Sequence, residues 1–191
     1  ATSLGGDLIR QFKFDAKTGT LAPNDPPSVS VKAKSGPRHF RWSKNGKTVY
    51  LLCELDSSLF AFDYDAKKGT LKQKQEVDTM PAGYSGKRWA ADLHLTPNGK
   101  FLYTSDRGND TLAAYKEGRA SGKVALIGHY PTETQPRGFA IDPAGRYLLA
   151  AGEKSNGMSS YKIDAKTGVL TKLKSYPMDK SPNWVEIVNL P

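Results

Sequence analysis

The chain has 191 residues, of which 38% are hydrophobic and 25% charged, the profile of a globular protein with enough length for one domain that buries most of its surface. A mean hydropathy of −0.55, with no apolar run of about 18 residues, excludes a membrane-spanning helix. The excess of 28 Lys+Arg over 19 Asp+Glu, a net charge of +9, leaves three classes of partner open: nucleic acid, an anionic surface or an anionic small molecule.

The opening residues, ATSLGGDLIRQF, lack the charged start and apolar core of a secretory signal, which decides nothing about compartment because a processed chain lacks them too. DAKTG (15–19) is the first of three near-identical turns, repeated as DAKKG (65–69) and DAKTG (164–168). An interval of about fifty residues, doubled between the last two, marks a repeat protein. Many of the lysines fall in such short turns, which spreads the positive charge as solvation. With no zinc-finger, GxxG or aromatic RNP pattern beside it, nucleic acid is not an expected partner.

GPRHFRWSKNGKTVYLLCELD (36–56) reads as two strands around Asn45-Gly46, the strongest short hairpin signal. The same strand, x-x-Gly-basic turn and strand recur in LHLTPNGKFLYTS (93–105) and FAIDPAGRYLLAA (139–151). A third run follows in each unit, LFAFDY (59–64), TLAAYK (111–116) and MSSYKI (158–163), and then a fourth, as in TLKQKQEV (70–77) and VLTKLKSY (169–176). Units of four antiparallel strands at this spacing predict an all-β β-propeller, and runs such as VYLL are apolar on both faces, as strands packed between two sheets must be. The expected division is the end of one blade in 1–35, blades at 36–80, 81–130 and 131–178, and the first strand of a closing blade in 179–191, where SPNWVEIV lies. These make about four blades of an expected seven; a small four-bladed ring is the alternative.

Cys53, the single cysteine, excludes an intrachain disulfide and a four-cysteine zinc site, and its place in YLLC reads as a small buried apolar residue. His94 and His129 read as strand or loop packing, so no metal centre is expected. No GxSxG elbow is present, which argues against a serine nucleophile.

Folding each hairpin carries Arg38 and Glu54, and likewise Arg137 and Glu153, to the end away from its turn. Alignment of the units without gaps makes Arg38, Ala91, Arg137 and Asn183 equivalent at inner-strand starts, Glu54, Arg107 and Glu153 equivalent at second-strand ends, and His39 equivalent to Asp92. One rim of the propeller is therefore plain turns and the other is charged. The plainest reading is a set of salt bridges that closes the rim. Against it stand Arg107, at a position whose equivalents are Glu, and the nearby Arg88 and Asp92. That excess of guanidinium suits a carboxylate or phosphate, so the expected partner is an anionic small molecule rather than a nucleic acid or a membrane. No residue pattern speaks to oligomeric state.

GPRHFRW, KRWAADLHLTPNGKFLYTSDR, YPTETQPRGFAID and SPNWVEIV together resemble the propeller-type 6-phosphogluconolactonases, over nearly the whole chain. The resemblance implies a seven-bladed propeller that hydrolyses 6-phosphogluconolactone in the cytoplasm without metal or cofactor. It extends to carboxymuconate cyclase relatives, which form a lactone. The Arg and Glu of that branch's proposed site match Arg38 and Glu54, and its second arginine matches either Arg107 or Arg137. For hydrolysis the expected base is Glu54, then Glu153, then His39; Arg38 polarises the carbonyl oxygen, and Arg107, Arg137 and Arg88 hold the phosphate. A non-catalytic scaffold remains the reading from another class.

Overall fold

The computed structural model describes residues 1–189 and contains strands and turns without a helix. β1 (Thr2–Ser3), β2 (Leu8–Asp15) and β3 (Thr20–Ser30) form a three-stranded sheet. Three four-stranded meanders follow: β4 (Pro37–Trp42), β5 (Thr48–Cys53), β6 (Ser58–Asp65) and β7 (Thr70–Asp78), then β8 (Ala90–Leu95), β9 (Phe101–Asp106), β10 (Thr111–Glu117) and β11 (Val124–Pro131), then β12 (Pro136–Ile141), β13 (Tyr147–Gly152), β14 (Gly157–Ile163) and β15 (Leu170–Pro177). This is the expected propeller architecture.

The repeated turns have a local cause. Asp15, Asp65 and Asp164 each accept, through Oδ1, the backbone N–H two residues on, at 2.8, 2.9 and 3.0 Å. Each loop closes on a glycine in the left-handed region, Gly19, Gly69 and Gly168, a conformation that costs a residue with a Cβ far more. Asn45 and Asn98 repeat the Asx geometry in the other turn series, each bonding the N–H two residues on at 2.9 Å.

Packing follows from the apolar runs. All six residues of β5 and all six of β9 are buried, because each strand sits in a sheet covered on both faces by its neighbours. One cluster joins the first sheet to the second through Ile9, Val49, Leu51, Phe60 and Phe62. A second joins β4–β7 to β8–β11 through Tyr50, Leu52, Leu59, Leu93 and Tyr115, and a third joins β8–β11 to β12–β15 through Phe101, Tyr103, Phe139 and Tyr161. The equivalent Tyr50 and Tyr103 hydroxyls reach across to the next sheet, donating to the Gly122 carbonyl at 3.0 Å and the Gly168 carbonyl at 2.8 Å. Cys53 is buried as expected, and burial pushes its thiol up to about 12.

The inner strands β4, β8 and β12 lie side by side with β1 against β4, and among the described residues the fourth sheet does not pack substantially on the first. The four sheets therefore trace an arc, not the small closed ring. Its two ends carry exposed apolar side chains, Phe14 and Leu21 at one and Trp184 and Val188 at the other. The run 181–188, expected as the first strand of a further blade, forms no ladder. It passes β12 closely enough that a Cβ on Gly138 would lie 2.6 Å from the Asn183 carbonyl oxygen, but no strand among the described residues pairs with it, and a strand needs a ladder partner. Of this last expected segment, 190–191 lie outside the described residues.

Each inner strand carries a bulge at its start. The register shifts between Pro37 and His39, between Ala90 and Leu93, and between Pro136 and Gly138. The extra residue is Arg38 in β4 and Arg137 in β12, and in β8 Ala91 and Asp92 together face the single Ser105. Bulges of this kind interrupt pairing and re-aim side chains, and here they turn the rim residues off the sheet plane.

Candidate active site

Arg38, Glu54 and Arg107 meet, although they come from two different sheets. Arg38 Nε donates to Glu54 Oε2 at 3.1 Å and Arg107 Nη2 to Glu54 Oε1 at 2.7 Å. The second-strand ends that carry Glu54, Arg107 and Glu153 are held alike, each backbone N–H donating to a carbonyl just before the adjacent inner strand: Gly36, Trp89 and Gln135. Trp89, which sequence reasoning did not single out, completes the cluster. Its Nε1 donates to Glu54 Oε1 at 2.8 Å, and the Arg107 guanidinium stacks 4.1 Å from its ring centroid, with Lys87 Nζ also over the ring at 3.7 Å. The tryptophan stands directly after two basic residues in KRW, a cation–π arrangement visible only when the chain is folded.

Burial raises the Glu54 carboxyl, yet the hydrogen bond and charge of Arg107, the Trp89 N–H and the Arg38 cation outweigh it and hold the group below the ordinary glutamate range. A carboxylate whose two oxygens already accept three bonds is a weak proton acceptor. Glu54 is thus built as an anion that locks two arginines together.

Arg107 does not reach the mouth. Its side chain is 2% exposed, and it spends its donors inside the protein, on the Trp89 carbonyl through Nε at 3.2 Å and on the Ala90 carbonyl through Nη2 at 3.0 Å besides Glu54. The expectation of a phosphate ligand there gives way to a buried clamp, because the carbonyls of Trp89 and Ala90 and the Glu54 carboxylate take up its donors. Arg88 is also engaged, bidentate on Asp78 at 2.6 and 2.8 Å and donating to the Asp56 carbonyl at 3.0 Å.

Arg38 and Arg137 behave differently. Arg38 gives Nη1 to the Ala91 carbonyl and, among the described residues, leaves Nη2 without an acceptor. Arg137 is 45% exposed and, among the described residues, makes a single ionic contact, 3.9 Å from Glu153, so its guanidinium is open to solvent. Burial, the Arg107 cation and, after the opposing pull of Glu54, the Arg137 cation lower the Arg38 guanidinium from its usual value, the mark of cations crowded in one place.

Deeper along the axis, Asp92 is buried and its Oδ2 lies 3.0 Å from His94 Nε2. Burial raises this carboxyl, but the His94 bond and charge and the His39 charge bring it below its ordinary value. His39 faces the same group; burial and the Arg38 cation hold its imidazole below the usual histidine range, so it is neutral at neutral pH. His94, expected to be packing, does pack edge-on against Phe139 at 4.8 Å between ring centroids, and it also lines a cavity of about 290 Å³ with Arg41, Asp92 and residues 138–141 of β12. The signal was present: Asp92 and His94, like His39 and Arg41, are two apart on a strand and so share a face. His129 does serve packing, its Nε2 lying 2.8 Å from the Thr79 carbonyl oxygen. Among the described residues no group of three or more His, Cys, Asp or Glu is arranged to hold a metal ion.

The family model described as "Lactonase, 7-bladed beta-propeller" matches residues 1–187. The chain belongs to the lactonase family of seven-bladed β-propellers. It is 44% identical over 142 residues to a 6-phosphogluconolactonase of Pectobacterium carotovorum, covering 74% of this chain and 42% of that protein. Against a 6-phosphogluconolactonase of Serratia proteamaculans the identity is 41% over 136 residues, covering 71% of this chain and 41% of the relative. The solved periplasmic gluconolactonase of Pseudomonas aeruginosa superposes with a TM-score of 0.93 at 32% identity, over 100% of this chain and 53% of that structure. The chain thus spans about two fifths of the length of the lactonases it matches in sequence. The arc of sheets is a contiguous part of the family's propeller, with the charged mouth on its axial rim.

Proposed function

We propose that the protein, as a complete seven-bladed propeller, hydrolyses 6-phosphogluconolactone to 6-phosphogluconate, the lactone-opening step of the oxidative pentose phosphate route. The observation that carries this reading is the rim itself: an open Arg137 beside Glu153, and an Arg38 with a free N–H held by an internal Glu54–Arg107–Trp89 lock, in a chain whose family members include proteins named for this reaction. Arg137 takes the phosphate, where a guanidinium offers paired donors. Arg38 Nη2 faces the carbonyl oxygen and stabilises the oxyanion that forms as water attacks. Glu54 and Arg107 hold Arg38 in place. His39 and Glu153 stand at the same mouth, the His39 imidazole held below its usual range by burial and the Arg38 cation. The work is done without a metal or cofactor, and the phosphorylated substrate places the protein in the cytoplasm.

A second reading, hydrolysis of an unphosphorylated gluconolactone outside the cytoplasm, is favoured by the likeness to the periplasmic gluconolactonase. One experiment separates the two. The full-length protein is assayed for opening of 6-phosphogluconolactone and of gluconolactone, each against its spontaneous rate. Selective acceleration of the phosphorylated lactone supports the first reading, selective acceleration of the plain lactone the second, and acceleration of neither overturns both.

A further inference from the structure

The cavity beneath the mouth holds a carboxylate–imidazole pair that the rim does not use. Asp92 sits in the bulge of β8 with its side chain 8% exposed, and His94 two residues on is 26% exposed. The two share the face of the strand turned to β12, opposite Leu93, and lie 3.0 Å apart through Oδ2 and Nε2. Phe139 of β12 meets the imidazole edge-on at 4.8 Å between ring centroids. The ring is thus held on one side by a buried anion and on another by an aromatic wall. Among the described residues His39, the other histidine here, makes no side-chain hydrogen bond that would set its tautomer.

We propose that His94, oriented by Asp92, is the catalytic base that deprotonates the attacking water in lactone opening, and that Asp92 is its positioning residue. The inference rests on the hydrolase reading above and adds a residue to it. The buried carboxylate accepts Nε2–H and so leaves the lone pair on Nδ1. That lone pair takes a proton from water as the water oxygen bonds to the lactone carbonyl carbon and the carbonyl electron pair moves to oxygen. Collapse of the tetrahedral species breaks the bond between this carbon and the ring oxygen. The imidazolium returns its proton to the ring oxygen, and the carboxylic acid product loses its own to solvent. Atoms and charge balance with lactone and water as the only reactants. The charged and titratable groups around the ring are Asp92 on its own strand, His39 and Arg41 on β4 and Glu186 in the segment after β15. β12 contributes only uncharged side chains, Phe139, Ala140 and Ile141, to the cavity.

The test uses the full-length protein with its preferred lactone. His94→Gln is expected to lower kcat about 100-fold or more, the range of a lost general base, with KM changed less than threefold. Asp92→Asn should lower kcat while KM changes less than threefold, because the ring loses the acceptor that orients it. In His94→Ala, added imidazole should restore rate in proportion to its concentration, a rescue that a purely structural histidine does not show. A wild-type protein that opens neither lactone overturns the hydrolase reading and this inference with it. An active wild type whose His94→Gln variant keeps kcat within twofold, or whose folded His94→Ala variant is slow and unresponsive to imidazole, overturns the inference alone.

Discussion

Glu54→Gln probes the lock at the mouth. The amide oxygen replaces Oε1 and still accepts from Trp89 Nε1 and Arg107 Nη2, now at 2.8 and 2.7 Å from a charged acceptor. The Trp89 bond falls from charge-assisted to neutral, and the Arg107 bond keeps its cationic donor but loses the ion pair, about 1 kcal/mol each, since a bond to a charged group contributes about 1.5–3 kcal/mol against about 0.5–1.5 otherwise. The new NH2 replaces Oε2 and faces Arg38 Nε, which donates at 3.1 Å in the native protein, so donor meets donor and a further 1–3 kcal/mol is lost, roughly. The sum is about 3–5 kcal/mol, in the range for breaking a buried ion pair. For 150–250 residues each kcal/mol moves the midpoint by about 2–4 °C, and proportionately less in a longer chain. Calorimetry or circular dichroism of the full-length variant should therefore show a drop of about 5 °C or more at pH 7, with kcat/KM reduced because Arg38 is released. The Glu54 carboxyl is depressed on folding, so its contribution is present above the unfolded glutamate value and is lost as pH falls through the lower folded value. The gap between wild type and variant should narrow below about pH 4. A variant that melts within 1 °C of wild type at pH 7 would refute the lock; full stability with lost kcat would return Glu54 to the role of base.

Three further outcomes follow from single observations. Arg137→Ala should raise KM about tenfold for 6-phosphogluconolactone and leave gluconolactone within twofold, as loss of one charge-assisted phosphate contact requires; equal effects on the two lactones would remove Arg137 from phosphate binding. Gly108→Ala should cost about 1–3 kcal/mol by overpacking, seen as a lower urea midpoint, because its Cβ would lie 1.9 Å from the Lys87 carbonyl oxygen; an unchanged midpoint would mean that the loop before Trp89 yields. Cys53, fully buried with its thiol pushed up to about 12, should resist a thiol reagent at pH 8 in the native protein and react at once in guanidinium, whereas fast native labelling would show that β5 opens.

Much of this protein is written in short-range chemistry and was legible without coordinates. Asp15, Asp65 and Asp164 bond their own turns, Asn45-Gly46 closes a hairpin by its dihedrals, and VYLL can be apolar throughout only if both faces are covered. Such signals act over a few residues, so the repeat, the all-β propeller and the charged rim all follow from them. The relations between sheets do not. Whether Arg107 reaches solvent or a buried carboxylate depends on which carbonyls and carboxylates take up its donors, and the partner, Glu54, is 53 residues away in another sheet. Trp89 acquires its meaning only between Arg107 and Lys87. Asp92 and His94 were neighbours in the sequence from the start, but only the fold sets the imidazole against Phe139 of the next inner strand and opens the pair to a cavity. Composition and spacing determined which residues would stand at the axis; burial and inter-sheet register decided which of them hold the site together and which remain free to act.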